Sequence, residues 1–196
     1  MLSLGYALFL EDIVKMGALL RHPATWVVVA LGAIVCAVLL YLFQPWRVFT
    51  TVEVNEAVPG AAAPRQPVSR EAAEPVEPVA APKTLAEGDF ISHEHETSGV
   101  AKVLELEGGE RVLRIEDFHT SDGPDLRVWL SDQPVREGTD GWFNLDDGKV
   151  VELGELKGNK GNANYAIPAS ADLDSLTSVV IWCRRFSVSF GAATLA

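Results

Sequence analysis

Cysteine is nearly missing from this chain: there are two in 196 residues, Cys36 and Cys183. That excludes a small domain stapled by disulfides and a four-cysteine zinc site. Cations are scarce too, with 16 Lys plus Arg against 27 Asp plus Glu and a formal net charge of −11. A nucleic-acid binder needs a cationic face for phosphates, so that class is excluded as well. The chain has no Walker loop, no dinucleotide fingerprint, no CxxCH haem attachment and no His-Glu-x-x-His. Asn144-Leu145-Asp146-Asp147-Gly148 lacks the ligand spacing of a calcium loop. Gly158 and Gly161 fit a tight turn better than a phosphate cradle. The length leaves room for one ordinary domain plus additional segments.

Long apolar runs are also rare; one exists. The 18 residues from Trp26 to Phe43 carry no charge. As a helix they would measure about 27 Å, close to the hydrocarbon thickness of a bilayer. Trp26, Tyr41 and Trp46 stand at its edges, where amphipathic rings favour the headgroup layer. No Ala-x-Ala-type cleavage site follows, so the run reads as a signal anchor at residues 26–43. Lys15, Arg21 and the terminal amine lie before it, whereas Arg47 is followed by Glu53 and Glu56. This bias predicts a cytoplasmic segment at residues 1–25, a single membrane pass and a C-terminal part outside the cytoplasm. The apolar run Leu2–Leu10 is too short to cross. Synthesis starting at Met16 would instead leave a short basic lead-in.

Residues 44–83 read as a linker. Within them Asn55–Pro82 holds six of the eleven prolines, with Ala, Glu and Val making up most of the rest. Such a stretch cannot bury enough surface to offset its ordering entropy, and is expected to be a disordered, semi-extended tether.

Residues 84–196 have the size of one domain. Short apolar runs recur between turn signals. Val100–Leu106 and Arg111–Phe118 flank Gly108-Gly109, a hairpin pattern. Further strands are expected at Leu126–Ser131, Val150–Leu156, Asn164–Ile167, Ser178–Cys183 and Phe186–Phe190. Seven or eight strands without a convincing long helix predict a mainly β fold, an antiparallel β-sandwich or barrel-like domain.

Few residues there could carry chemistry. Cys183 ends an apolar strand and precedes Arg184 and Arg185, and nearby cations raise the thiolate fraction of a thiol. It is the candidate redox or ligating atom, although a Cys on a strand is more often a small buried hydrophobe. His93 and His95 share a face if their segment is extended, and His119 sits by a turn; these three are the candidate metal ligands. A cysteine and a histidine could also hold haem iron or form a nucleophile–base pair. His95 and Trp182 are the candidates for the walls of a cofactor pocket.

The ordered set Gly88-Asp89-Phe90, His95-x-x-x-Gly99, Asp117-Phe118, Gly123-Pro124-Asp125-Leu126, Leu156-Lys157-Gly158, Tyr165-x-Ile167-Pro168, Val179-Val180-Ile181-Trp182-Cys183 and Phe186-x-Val188-x-Phe190-Gly191 resembles the DM13 domain. The resemblance covers nearly all of residues 84–196 and neither the anchor nor the linker. It implies a small β-rich domain, often extracytoplasmic, with a role in electron transfer. It places the family's characteristic cysteine at Cys183, acting as a bare thiol or holding a group such as haem. The second histidine, His93, departs from the family pattern. Two functions are therefore expected to compete. One is an anchored redox domain working through Cys183. The other is a non-catalytic module presenting a surface to an envelope or membrane-protein partner. An accessible Cys183 close to His95 or His119 would favour the first, and a Cys183 sealed in the core would favour the second.

Overall fold

The computed structural model describes residues 21–60 and 81–196. Leu2–Leu10 and Met16 lie outside these residues, as does most of the proline-rich stretch. The described chain divides into two compact units, one ending at Pro45 and the other running from Trp46 to Ala196.

In the first unit, helix α1 spans Pro23–Phe43. Nδ1 of His22 accepts the Ala24 amide, and Pro23 occupies the first turn, where its missing N–H costs nothing. Gln44 ends the helix in a left-handed conformation with its amide on the Leu40 carbonyl, and Pro45 blocks continuation. None of its residues is buried, although all 21 are uncharged and mostly apolar. One N-terminal helix is therefore long and apolar enough to cross a membrane.

The second unit is a single nine-stranded sheet in the order β1-β7-β4-β3-β2-β9-β8-β5-β6. The strands are β1 Glu53–Asn55, β2 Lys83–Ser92, β3 Ser98–Glu105, β4 Arg111–His119, β5 Leu126–Ser131, β6 Val150–Glu155, β7 Lys160–Ile167, β8 Ser178–Cys183 and β9 Val188–Thr194. Every pairing is antiparallel except β1 with β7. The sheet curls into a half-barrel, so that Val103, Leu113 and Tyr165 of one half pack in the same core as Val128, Ile181 and Phe190 of the other. The mainly β architecture expected from the strand pattern is present, built from one curled sheet.

Strands β5 and β8 are covered on both faces. Alternation sends Val179, Ile181 and Cys183 into the main core. It sends Val180 and Trp182 the other way, into a second cluster with Trp129, Leu145 and Ala192. There the Trp129 and Trp182 rings stack with centroids 4.9 Å apart, and Trp129 Nε1 donates to Glu152. The loop between β5 and β6 supplies Leu145 and so roofs this cluster.

The stretch read as linker contributes structure at its start. A 3-10 turn at Pro45–Phe49 leads into β1, which lies parallel on β7 with Glu53 opposite Lys160 and Asn55 opposite Asn162. Glu56 continues the contact, accepting from Lys157 Nζ and from the Asn164 amide. Arg114 donates to the carbonyls of Glu56 and Ala57. Two glycines make room for this strap, residues 46–58. A Cβ on Gly161, whose φ is +102°, would stand 2.3 Å from the Val54 carbonyl oxygen, and one on Gly158 would stand 2.5 Å from that of Val52. Because β1 and β2 both belong to the sheet, the proline-rich residues 61–80 connect two strands of one domain.

Candidate functional site

Cys183 is the last residue of β8, in register with Leu126 of β5 and Val188 of β9. Its exposure is 0%. The Arg184 amide donates to the Asp125 carbonyl, tying the Asp122–Asp125 turn to the end of β8. The chain then reverses through residues 184–187, with Ser187 at φ 50°. As a result the backbone amides of Phe186, Arg185 and Asp125 are all directed at the Cys183 sulfur. Burial nevertheless dominates and pushes the thiol pKa up, outweighing those three amides. At neutral pH the group rests as a neutral thiol.

Asp125, the last residue of the Asp122–Asp125 turn, closes on this sulfur through its amide, and the turn also lines a cleft of about 270 Å³. Arg47, Val52, Asp122, Pro124, Glu155 and Lys157 are among the lining residues. The strap secures the turn: Arg47 donates to the Gly123 carbonyl and pairs with Asp122 at 3.6 Å, while Thr50 donates to the other Asp122 oxygen. Buried Asn159 bridges strap and core, accepting the Val52 amide and donating to the Thr120 carbonyl. Behind Lys157, the hydroxyl of Tyr165 accepts the Lys157 amide, and its pKa is pushed up to about 12 by burial.

The histidines lie elsewhere. His93 and His95 both follow β2 and send their amides to the Phe190 carbonyl. The His93 ring is buried. Its Nε2 donates to the Arg136 carbonyl at 3.0 Å and its Nδ1 accepts from Ser189 Oγ at 2.8 Å, while burial holds its pKa below the usual imidazole value. His95 lies against the Phe190 ring, its Nδ1 2.7 Å from Ser121 Oγ and its Nε2 2.5 Å from Glu94. His119 is exposed at the end of β4, opposite Ser98 and Lys160. Among the described residues no three His, Cys, Asp or Glu side chains form a metal-holding group.

A haem held by Cys183 does not fit this arrangement. The sulfur is sealed, both ring nitrogens of His95 are engaged by Ser121 and Glu94, and Trp182 points away from Cys183 by strand alternation. The neighbouring cleft is also smaller than the roughly 300–1,000 Å³ usual for ligand pockets. The chemistry the site offers is thus that of one protected thiol, beside a separate Ser121–His95–Glu94 chain able to carry a proton.

A family model described as "Electron transfer DM13" matches residues 89–195. The chain belongs to the DM13 family. No curated protein and no solved structure matches it. The DM13 match includes Cys183, the Asp122–Asp125 turn, His93, His95 and His119, and leaves out α1, the strap and the start of β2.

Sequence reasoning missed Arg47, Thr50, Ser121 and Asn159. Arg47 registered as a charge flanking the apolar run, and nothing local revealed that its partner lay 76 residues away. Ser121 sat in a turn-rich stretch where serine is ordinary. A usable signal did exist in Lys157-Gly158 and Gly161, since glycine beside or within a strand marks close backbone approach as well as turns.

Proposed function

We propose that this protein is a single-pass membrane-anchored electron-transfer domain of the DM13 family, with its N-terminus in the cytoplasm and its β domain outside. Cys183 is its redox atom, reached only when the chain enclosing it opens. The observation that carries the reading is the Cys183 sulfur beneath three backbone amides, inside the segment that matches the electron-transfer family. Hydrogen bonds to sulfur tune the potential of sulfur-based redox centres. A single thiol completes a redox cycle only with a second sulfur or a bound group, so an envelope or membrane-protein partner supplies it. That partner's sulfur would reach Cys183 only when the Asp122–Asp125 turn opens. The test is oxidation of membranes containing the full chain, followed by non-reducing electrophoresis. A mixed disulfide that disappears in Cys183→Ser is expected. A redox phenotype fully retained by Cys183→Ser would overturn the reading. Protease added outside sealed cells should digest the β domain and spare residues before α1.

The complete burial of Cys183 favours a second reading, in which the domain is a non-catalytic module that binds an envelope partner and Cys183 only packs. Under it, Cys183→Ala would leave partner binding intact.

A further inference from the structure

The end of the β domain where β8 finishes exposes aromatic rings. Trp46 is 53% exposed, Phe49 89% and Phe186 41%. Three arginines stand among them: Arg47, Arg184 and Arg185. The Arg47 bond to Gly123, the Arg184 amide on the Asp125 carbonyl, and the shared approach of the Asp125, Arg185 and Phe186 amides to one sulfur make this a continuous surface of three adjacent turns. Of the carboxylates there, Asp122 pairs with Arg47, Asp125 with Arg127 at 2.7 Å and Arg184 at 3.8 Å, and the largely exposed Glu155 with Arg127 at 3.1 Å. Exposed aromatic rings are the chemistry of the bilayer headgroup layer, where they lie among glycerol groups, and Arg184, 53% exposed, adds a cation beside them.

Two further considerations select a lipid surface. The chain between Phe43, the last residue of α1, and Trp46 contains only Gln44 and Pro45, at most about 11 Å of backbone. The acidic charge of the rest of the domain does not prevent approach, because at physiological ionic strength charges beyond about 8 Å are largely screened and the nearest groups decide.

We propose that the end of the domain carrying Trp46, Phe49, Arg184, Arg185 and Phe186 docks on the phospholipid headgroup layer that α1 enters. This rests on the single-pass reading of α1. It brings the turns enclosing Cys183 to the membrane surface.

The test uses the full chain with Cys36→Ser, reconstituted in phosphatidylcholine vesicles containing some phosphatidylglycerol. An environment-sensitive fluorophore is attached at Ser187→Cys in the patch, or at Asp174→Cys beyond the opposite end of β8; buried Cys183 stays unlabelled. Vesicle flotation reports anchoring, and a headgroup-level lipid quencher reports docking. The expected result is flotation of both proteins, with blue-shifted, quenched emission at 187 and water-like, unquenched emission at 174. Replacing Trp46, Phe49 and Phe186 together by Ser should abolish quenching at 187 while flotation persists. Flotation with unquenched emission at 187 overturns docking and leaves the anchor standing. Blue-shifted but unquenched emission at 187 also overturns it, since a protein surface would then cover the patch. Failure to float removes the anchor and docking together.

Discussion

Cys183 and Arg47 form one system linked by a four-residue turn. The thiol is sealed and its pKa raised by burial, so a membrane-impermeant thiol reagent at neutral pH should leave it unmodified in the native protein and modify it on denaturation. Arg47 holds the covering turn through the Gly123 carbonyl and Asp122. Hydrogen bonds to charged groups are worth about 1.5–3 kcal/mol, less where solvent screens them. Arg47→Ala is therefore expected to speed native labelling of Cys183 about tenfold, equivalent to about 1.4 kcal/mol of easier opening. An unchanged rate would show that another element covers the thiol. His93 makes a pH prediction. Burial holds its folded pKa below the 6.5 of the free side chain, so the unfolded state binds more protons as pH falls through that value. Stability is full above 6.5 and declines below it, toward the folded pKa. Urea midpoints should drop between about pH 7.5 and about pH 5.5, and His93→Gln should flatten that drop. The carboxylates whose pKa values are lowered, Glu56 and Glu116 among them, titrate below this window.

At the scale of the element, the strap stands out because it pairs with a strand through two glycines. Gly161→Ala would combine a strained positive φ with a clash against the Val54 carbonyl. It should cost about 1–3 kcal/mol, seen as a lower thermal midpoint, and deletion of residues 46–58 should remove the part of that cost due to the clash while leaving the φ strain. Strands such as β5 and β8 were legible in the sequence to the residue, because continuous apolar runs bounded by turn chemistry admit little else. The Gly-Gly hairpin was legible for the same reason. β1 was not: three residues, Glu-Val-Asn, carry no period, and their pairing depends on a partner 107 residues away. The first half of β7 was missed because Gly158 before it and Gly161 within it imitate a turn. Cys183 was found through the family resemblance and its place at a strand end, but its burial depends on Asp125 and Phe186 closing around it, which no local pattern records.

For the whole molecule, the topology changes what the proline-rich stretch is. Read along the chain, it looks like a spacer between a membrane helix and a domain. In the fold, β1 before it and β2 after it lie in one sheet, four strands apart in order. The covalent link from α1 to the domain is therefore Gln44 and Pro45, and residues 61–80 are no part of it. This also separates covalent from physical continuity. A protease cutting between residues 61 and 80 would sever the backbone without freeing the domain, because the piece bearing α1 still grips the other through β1, Glu56 and Arg47. With an engineered cleavage site there, the two fragments should co-purify after complete digestion and separate once Gly161→Ala loosens the grip. Release of the domain from the piece bearing α1 would then be a two-stage event, a cut followed by dissociation of a strand, and its pace would be set by the second stage.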